Sequence, residues 1–128
     1  MLKAGQTILL PKPGQATLHL WVVVLVPDSV THETVIVNLT SQKTHSDNTV
    51  VLQPGEHPFV QHPTVVFFAD ARIVDAKHIT AAMQADTGQP HQDCSAALLL
   101  KIQQGLFASA MTPQKVKFFT DSQLKAKK

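Results

Sequence analysis

Apolar residues run almost unbroken from Leu18 to Val26, with three consecutive valines after Trp21. Such a run, rich in β-branched residues, predicts a strand over Thr17–Val26 that is buried on both faces. Pro27-Asp28-Ser29 ends it with turn chemistry. Thr34–Thr40, Thr49–Gln53, Thr64–Phe68 and Arg72–Val74 are shorter runs of the same kind and predict four more strands. Residues 41–48 are polar and read as a loop, and Pro54-Gly55 suits the two central positions of a type II turn. The first fifteen residues hold Gly5, Pro11, Pro13 and Gly14, which predicts an irregular arm or a short edge strand.

After Val74 the spacing changes. Asp75 suits the cap of a helix over about 76–85, and Thr87–His91, with Gly88 and Pro90, reads as a loop. Asp93 suits the cap of a second helix over about 94–105, with Ala97, Leu98, Leu100 and Ile102 as its apolar stripe and Gly105 near its end. Thr112-Pro113 reads as a cap followed by a first helical position, starting a third helix over about 113–124 whose core face holds Val116, Phe119 and Phe118. Short strands with no helix between them favour an antiparallel meander or small barrel over parallel βαβ units. The expected fold class is therefore α+β and mainly β: a five- or six-stranded antiparallel barrel-like sheet followed by helices. At 128 residues the chain suits one domain, with a β part over 1–76 and a helical part over 77–128.

Composition changes this picture in three ways. Charged residues make up 16%, well below the ordinary quarter, which suggests a surface meant to be covered by a second copy of the chain. Five lysines from Lys115 onward stand against Asp121 alone, so this segment carries +4 and the rest of the chain −2. A basic tail reads as a solvated chain end or as a contact for RNA, membrane or an acidic partner. Cys94 is the single cysteine, so no intrachain disulfide forms, which suits a reducing compartment. With no signal-like start and no apolar run long enough to span a bilayer, the expected location is cytoplasmic, without a membrane contact.

Histidine is the notable candidate chemistry. Strand alternation puts His19 on the face of Trp21 and Val23, where it is either a satisfied core histidine or a general acid or base on a rigid strand. His57 and His62 flank Pro58-Phe59-Val60-Gln61; either both bond backbone groups in a tight bend or one serves as a proton donor. No further nitrogen, sulfur or carboxylate ligands stand at a spacing that would complete a metal site, and no cofactor signature is present. Thr40-Ser41-Gln42-Lys43 at a strand end reads as ordinary loop solvation or as a phosphate-binding element. Cys94 stands where a helix N-terminus would favour the thiolate, but Asp93 opposes that.

The order of parts from His19 to Ala76 resembles the PemK/MazF-like toxins, which have an SH3-like barrel. A long strand Leu18–Leu25 is followed by Val35–Ser41, a polar loop, the Pro54-Gly55 turn and the strand pair Thr64–Phe68 and Ala71–Asp75, together under half of the chain. The resemblance implies metal-independent cleavage of single-stranded RNA without a cofactor, a homodimer, and a small antitoxin protein as partner. Thr40 or Ser41 matches the family's hydroxyl position, while His19 stands where an arginine–proline pair is usual, and Arg72 is the only arginine. In the enzyme reading His19 is the general base, Thr40 or Ser41 holds the scissile phosphate, His57 or His62 protonates the leaving oxygen, and Lys43 and Arg72 bind substrate. The alternative is a non-catalytic barrel that binds a protein or peptide.

Overall fold

The computed structural model describes residues 2–12 and 14–126; Pro13 in the N-terminal arm and the last two lysines of the tail lie outside it. Among the described residues, six strands form one curled, open antiparallel sheet, a half-barrel. They are β1 (Thr7–Pro11), β2 (Leu18–Val23), β3 (Glu33–Ser41), β4 (Val51–Leu52), β5 (Thr64–Asp75) and β6 (Gln89–His91), in the order β4-β5-β3-β2-β1-β6. Three helices complete the fold: α1 (Ala76–Gln84), between β5 and β6, then α2 (Ala96–Ala108) and α3 (Gln114–Ala126). None of the described helices is long and apolar enough to cross a membrane.

The apolar run in β2 is explained by burial on both faces. Leu20, Val22 and Val24 join Val35, Val37, Leu39, Val66 and Phe68 on one side, covered by Leu98, Ile102 and Leu106 of α2 and Val116 of α3. Trp21 and Val23 face the other way, with Ile8 and Ile36, under Ala76 and Ile79 of α1. Each large apolar side chain buried in this way contributes roughly 1.5–3 kcal/mol.

Several elements differ from the sequence expectation. The N-terminal arm supplies β1, an inner strand between β2 and β6. Residues 89–91 are an outer strand of the sheet and not a loop. The expected Thr49–Gln53 strand shrinks to Val51–Leu52. The two expected strands over 64–74 are one, β5, with an irregularity: Ile36 pairs with Arg72 and Asn38 with Phe67, so Val37 alone faces four residues of β5. The surplus lets Phe68 and Ala71 both enter the core while Asp70 meets Asn38 on the other face.

Asp75 caps α1 through the Lys77 N–H. Ser95, and not Asp93, caps α2, its hydroxyl accepting the Leu98 N–H at 3.1 Å; Asp93 pairs with Lys3 instead. Gly105 is inside α2, which continues to Ala108. At α3 the Pro113 carbonyl accepts the Val116 and Lys117 N–H groups, whereas the buried Thr112 hydroxyl has no hydrogen-bond partner among the described residues. Val116 is buried, but Phe118 points to solvent. Gly55 has φ +101°, as a type II turn requires at its third residue, and the Glu56 N–H closes it onto the Gln53 carbonyl.

Candidate functional site

β2 and β3 bring His19 and the pair Thr40-Ser41 to the same end of the sheet. The segment before β5 adds His62, and these four residues line one cavity of about 240 Å³ together with Phe59 and Gln61. Ser41 and His62 are in contact, the hydroxyl oxygen 2.7 Å from Nε2. His62 is held in place by its neighbours: its carbonyl accepts the Thr64 hydroxyl at 2.8 Å, and the Pro63 carbonyl accepts the Gln42 N–H at 3.0 Å. The imidazole of His62 and the hydroxyl of Ser41 are exposed, whereas His19 and Thr40 are half-buried. Burial is the main cause that lowers the His19 pKa below its usual 6.5; the Lys12 ammonium adds to it, and Asp70 and the Leu39 carbonyl oppose it. His19 is thus biased towards the neutral form, as a base requires.

A second cavity, about 1010 Å³, opens on the other side of Thr40 and Ser41, which line both. Its walls carry Lys43, His45 and the hydroxyls of Thr44, Ser46 and Thr49, together with Phe67 and Met111. The two cavities share Thr40 and Ser41 in their linings, and the smaller one, which His19 and His62 line, is the candidate cleft. The Phe67 ring in the wall of the larger is 37% exposed.

Two of the expected site residues are placed differently. His57 is 3% exposed. Both its ring nitrogens are bonded to backbone groups, Nδ1 to the Phe59 N–H at 3.1 Å and Nε2 to the Gln92 carbonyl at 2.6 Å. Arg72 is tied to Asp70, with NH2 at 2.7 Å and Nε at 3.2 Å, and its guanidinium lies over the Trp21 ring at 5.2 Å. Neither lines the cavity that holds His19 and His62.

Asp70, Lys12 and Asn38, which the sequence reading did not single out, form a polar network, and the charges of Lys12 and Asp70 act on His19. Asp70 accepts Lys12 Nζ at 2.9 Å and Asn38 Nδ2 at 2.9 Å besides Arg72. Burial would raise its pKa, but these bonds outweigh it and keep the carboxyl below 3.8. Lys12 also lies 5.0 Å from the centre of the Phe67 ring. Asn38 carried a signal, as a polar residue inside Val-Ile-Val-Asn-Leu; Lys12 carried none, because its role depends on pairing β1 with β2. A further cavity of about 590 Å³, mostly apolar, lies between α1 and the β2–β3 turn and contains none of the expected site residues. Among the described residues no three His, Cys, Asp or Glu side chains group closely enough to hold a metal ion. Comparison with protein-family models, with curated proteins and with solved structures yields no match for this chain.

Proposed function

We propose that the cleft cleaves single-stranded RNA by metal-independent transesterification, as the resemblance to PemK/MazF-like toxins implies. The observation that carries this reading is that His19, His62, Thr40 and Ser41 all line one cavity, with the His62 imidazole on the Ser41 hydroxyl at 2.7 Å. His19, neutral, removes the proton from a ribose 2′-hydroxyl, and the 2′-oxygen attacks the adjoining phosphorus. The bond to the 5′-oxygen breaks, and that oxygen takes its proton from the His62 imidazolium. The products are a 2′,3′-cyclic phosphate and a 5′-hydroxyl end. Thr40 and Ser41 donate to the non-bridging oxygens, and Lys43 in the adjoining cavity supplies positive charge as the phosphorane forms. His57 has no part in the chemistry, because both its ring nitrogens are engaged.

The test is purified protein on a long unstructured RNA, in EDTA, from pH 5 to 9. We expect cyclic-phosphate ends, and their loss in both His19→Ala and His62→Ala with the fold intact. No cleavage at any pH, or full cleavage by either variant, sinks the proposal.

A second reading has its own observation. The helical part exposes Leu100 (53%), Met111 (56%) and Phe118 (74%), apolar side chains suited to a protein partner, whether a second copy or an antitoxin-like chain. Sedimentation of the isolated chain at micromolar concentration separates these cases: a dimer supports self-association, and a monomer leaves a different polypeptide.

A further inference from the structure

The segment from His57 to His62 supplies Phe59, Gln61 and His62 to the lining of the cleft, yet it is held from the opposite edge of the sheet. β4 and β6 are the outer strands of the open sheet. His57, shortly after β4, reaches the residue that follows β6: its Nε2 lies 2.6 Å from the Gln92 carbonyl. A carbonyl only accepts, so Nε2 carries a proton. Nδ1 accepts the Phe59 N–H and therefore carries none. The buried ring is neutral, with its tautomer fixed by two backbone bonds. It faces the ring of His91 in β6, centroids 5.2 Å apart, and His91 meets Phe59 in a T-shaped contact at 6.2 Å. His91 likewise accepts a backbone N–H at Nδ1, that of Gln92, at 2.8 Å.

We propose that His57 and His91 form an acid-released clasp, which joins the two edges of the half-barrel and positions the Phe59–His62 wall of the cleft only while both rings are neutral. A proton on either Nδ1 would set N–H against N–H, at Phe59 for His57 and at Gln92 for His91. With both rings protonated, two like charges would face each other about 5 Å apart in a partly buried site. Burial lowers the His57 pKa below 6.5 and His91 lowers it further, against the opposing Gln92 bond. The nearby charged groups do not offset this. Glu56 is held by the Gln53 N–H and by Lys101 of α2, and Asp93 pairs with Lys3. Among the described residues no carboxylate hydrogen-bonds to either ring. A group whose pKa is depressed in the fold stabilises it fully above the unfolded value and loses this contribution as pH falls through the folded one. The clasp therefore holds at neutral pH and loosens in acid.

Its effect on the cleft rests on the nuclease reading; the clasp itself does not. The test is an imidazole ¹⁵N–¹H titration of the full chain from pH 7.5 to 4.5, with amide exchange followed in parallel. At neutral pH both rings should be Nε2–H tautomers. Protection of the Phe59 and Gln92 amides should fall together with His57 ionisation, at a midpoint below 6.5. His57→Gln keeps a donor that can reach the Gln92 carbonyl but removes the titrating acceptor of the Phe59 N–H, so the acid step in Phe59 protection should vanish. An Nδ1–H tautomer at His57, Phe59 protection that survives His57 ionisation, or an unchanged Phe59 acid step in His57→Gln overturns the clasp. If the variant does not fold, the wild-type titration decides. No RNA enters this experiment, so a failure of the nuclease reading leaves it standing.

Discussion

Asp47 accepts the hydroxyl of Ser109 across 62 residues of chain, which ties the polar loop after β3 to the end of α2 and fixes one wall of the larger cavity. Asp47 also takes the Thr49 N–H and hydroxyl. Burial would raise the Asp47 pKa, but the bonds from Ser109 and Thr49 outweigh it and bring it below 3.8. Ser109 is 1% exposed, so its loss leaves a part-buried carboxylate short of a donor. We expect Ser109→Ala to cost about 1–3 kcal/mol in denaturant titration at neutral pH. A depressed carboxyl pKa stabilises above the unfolded value and loses its contribution as pH falls through the folded one. The gap between variant and wild type should therefore narrow below about pH 4, and a constant gap would assign the loss to packing alone.

At Gly105 the α2 backbone lies tightly against the side chains of Val50 and Phe68. A methyl group there would overlap the Val50 side chain and sit 2.9 Å from Cζ of Phe68, and both neighbours are buried. Alanine favours a helix interior by roughly 1 kcal/mol over glycine, so helix propensity alone predicts stabilisation. Overpacking a close-fitted core costs roughly 1–3 kcal/mol and acts against that gain. We expect Gly105→Ala to be destabilising, because Phe68 belongs to β5 and cannot withdraw without moving the strand. A raised thermal midpoint would mean that the helix shifts away freely.

Trp21 is 3% exposed, packed with Ile8, Val23 and Ile36 and overlaid by the Arg72 guanidinium. Trp21→Ala should cost about 3–5 kcal/mol, as for other large aromatic truncations in cores. A loss below about 1 kcal/mol in denaturant titration would show that the ring contributes little to the core.

What could be read from the sequence was local. The two-faced burial of β2, the Pro54-Gly55 turn and the Asp75 cap follow from neighbouring residues alone. β6 could not be read so, because Gln89-Pro90-His91 has no strand character and is ordered only by pairing with β1, some eighty residues earlier. Ala69-Asp70-Ala71 looked like an interruption; it is the part of β5 that faces Val37 alone. The same limit applies to the site. His19, Thr40, Ser41 and His62 were legible as polar groups on or beside strands and do share a cavity. His57 and His62, each followed by proline, look alike in sequence, but one is sealed against Gln92 and the other is open on Ser41. Asp70 and Lys12 meet only because β1, β2, β3 and β5 lie side by side.

The pH dependence of RNA cleavage is the sharpest test of His19. As a general base it must be neutral, so the acid limb of the rate profile should report its ionisation. Burial and Lys12 lower the His19 pKa, and Asp70 and the Leu39 carbonyl only partly offset them, which places the limb below 6.5. Lys12→Met removes a cation near the ring and also leaves the Asp70 carboxylate less neutralised. Both changes favour imidazolium, so the acid limb should move towards neutral pH. His19→Ala should lower the rate by about 10²–10⁴, the usual worth of a general base, and abolish that limb. An acid limb that stays in place in Lys12→Met, or survives in His19→Ala, would assign it to another group. Loss of the acid limb in His19→Ala with the alkaline side of the profile retained is a separation that general unfolding would not produce.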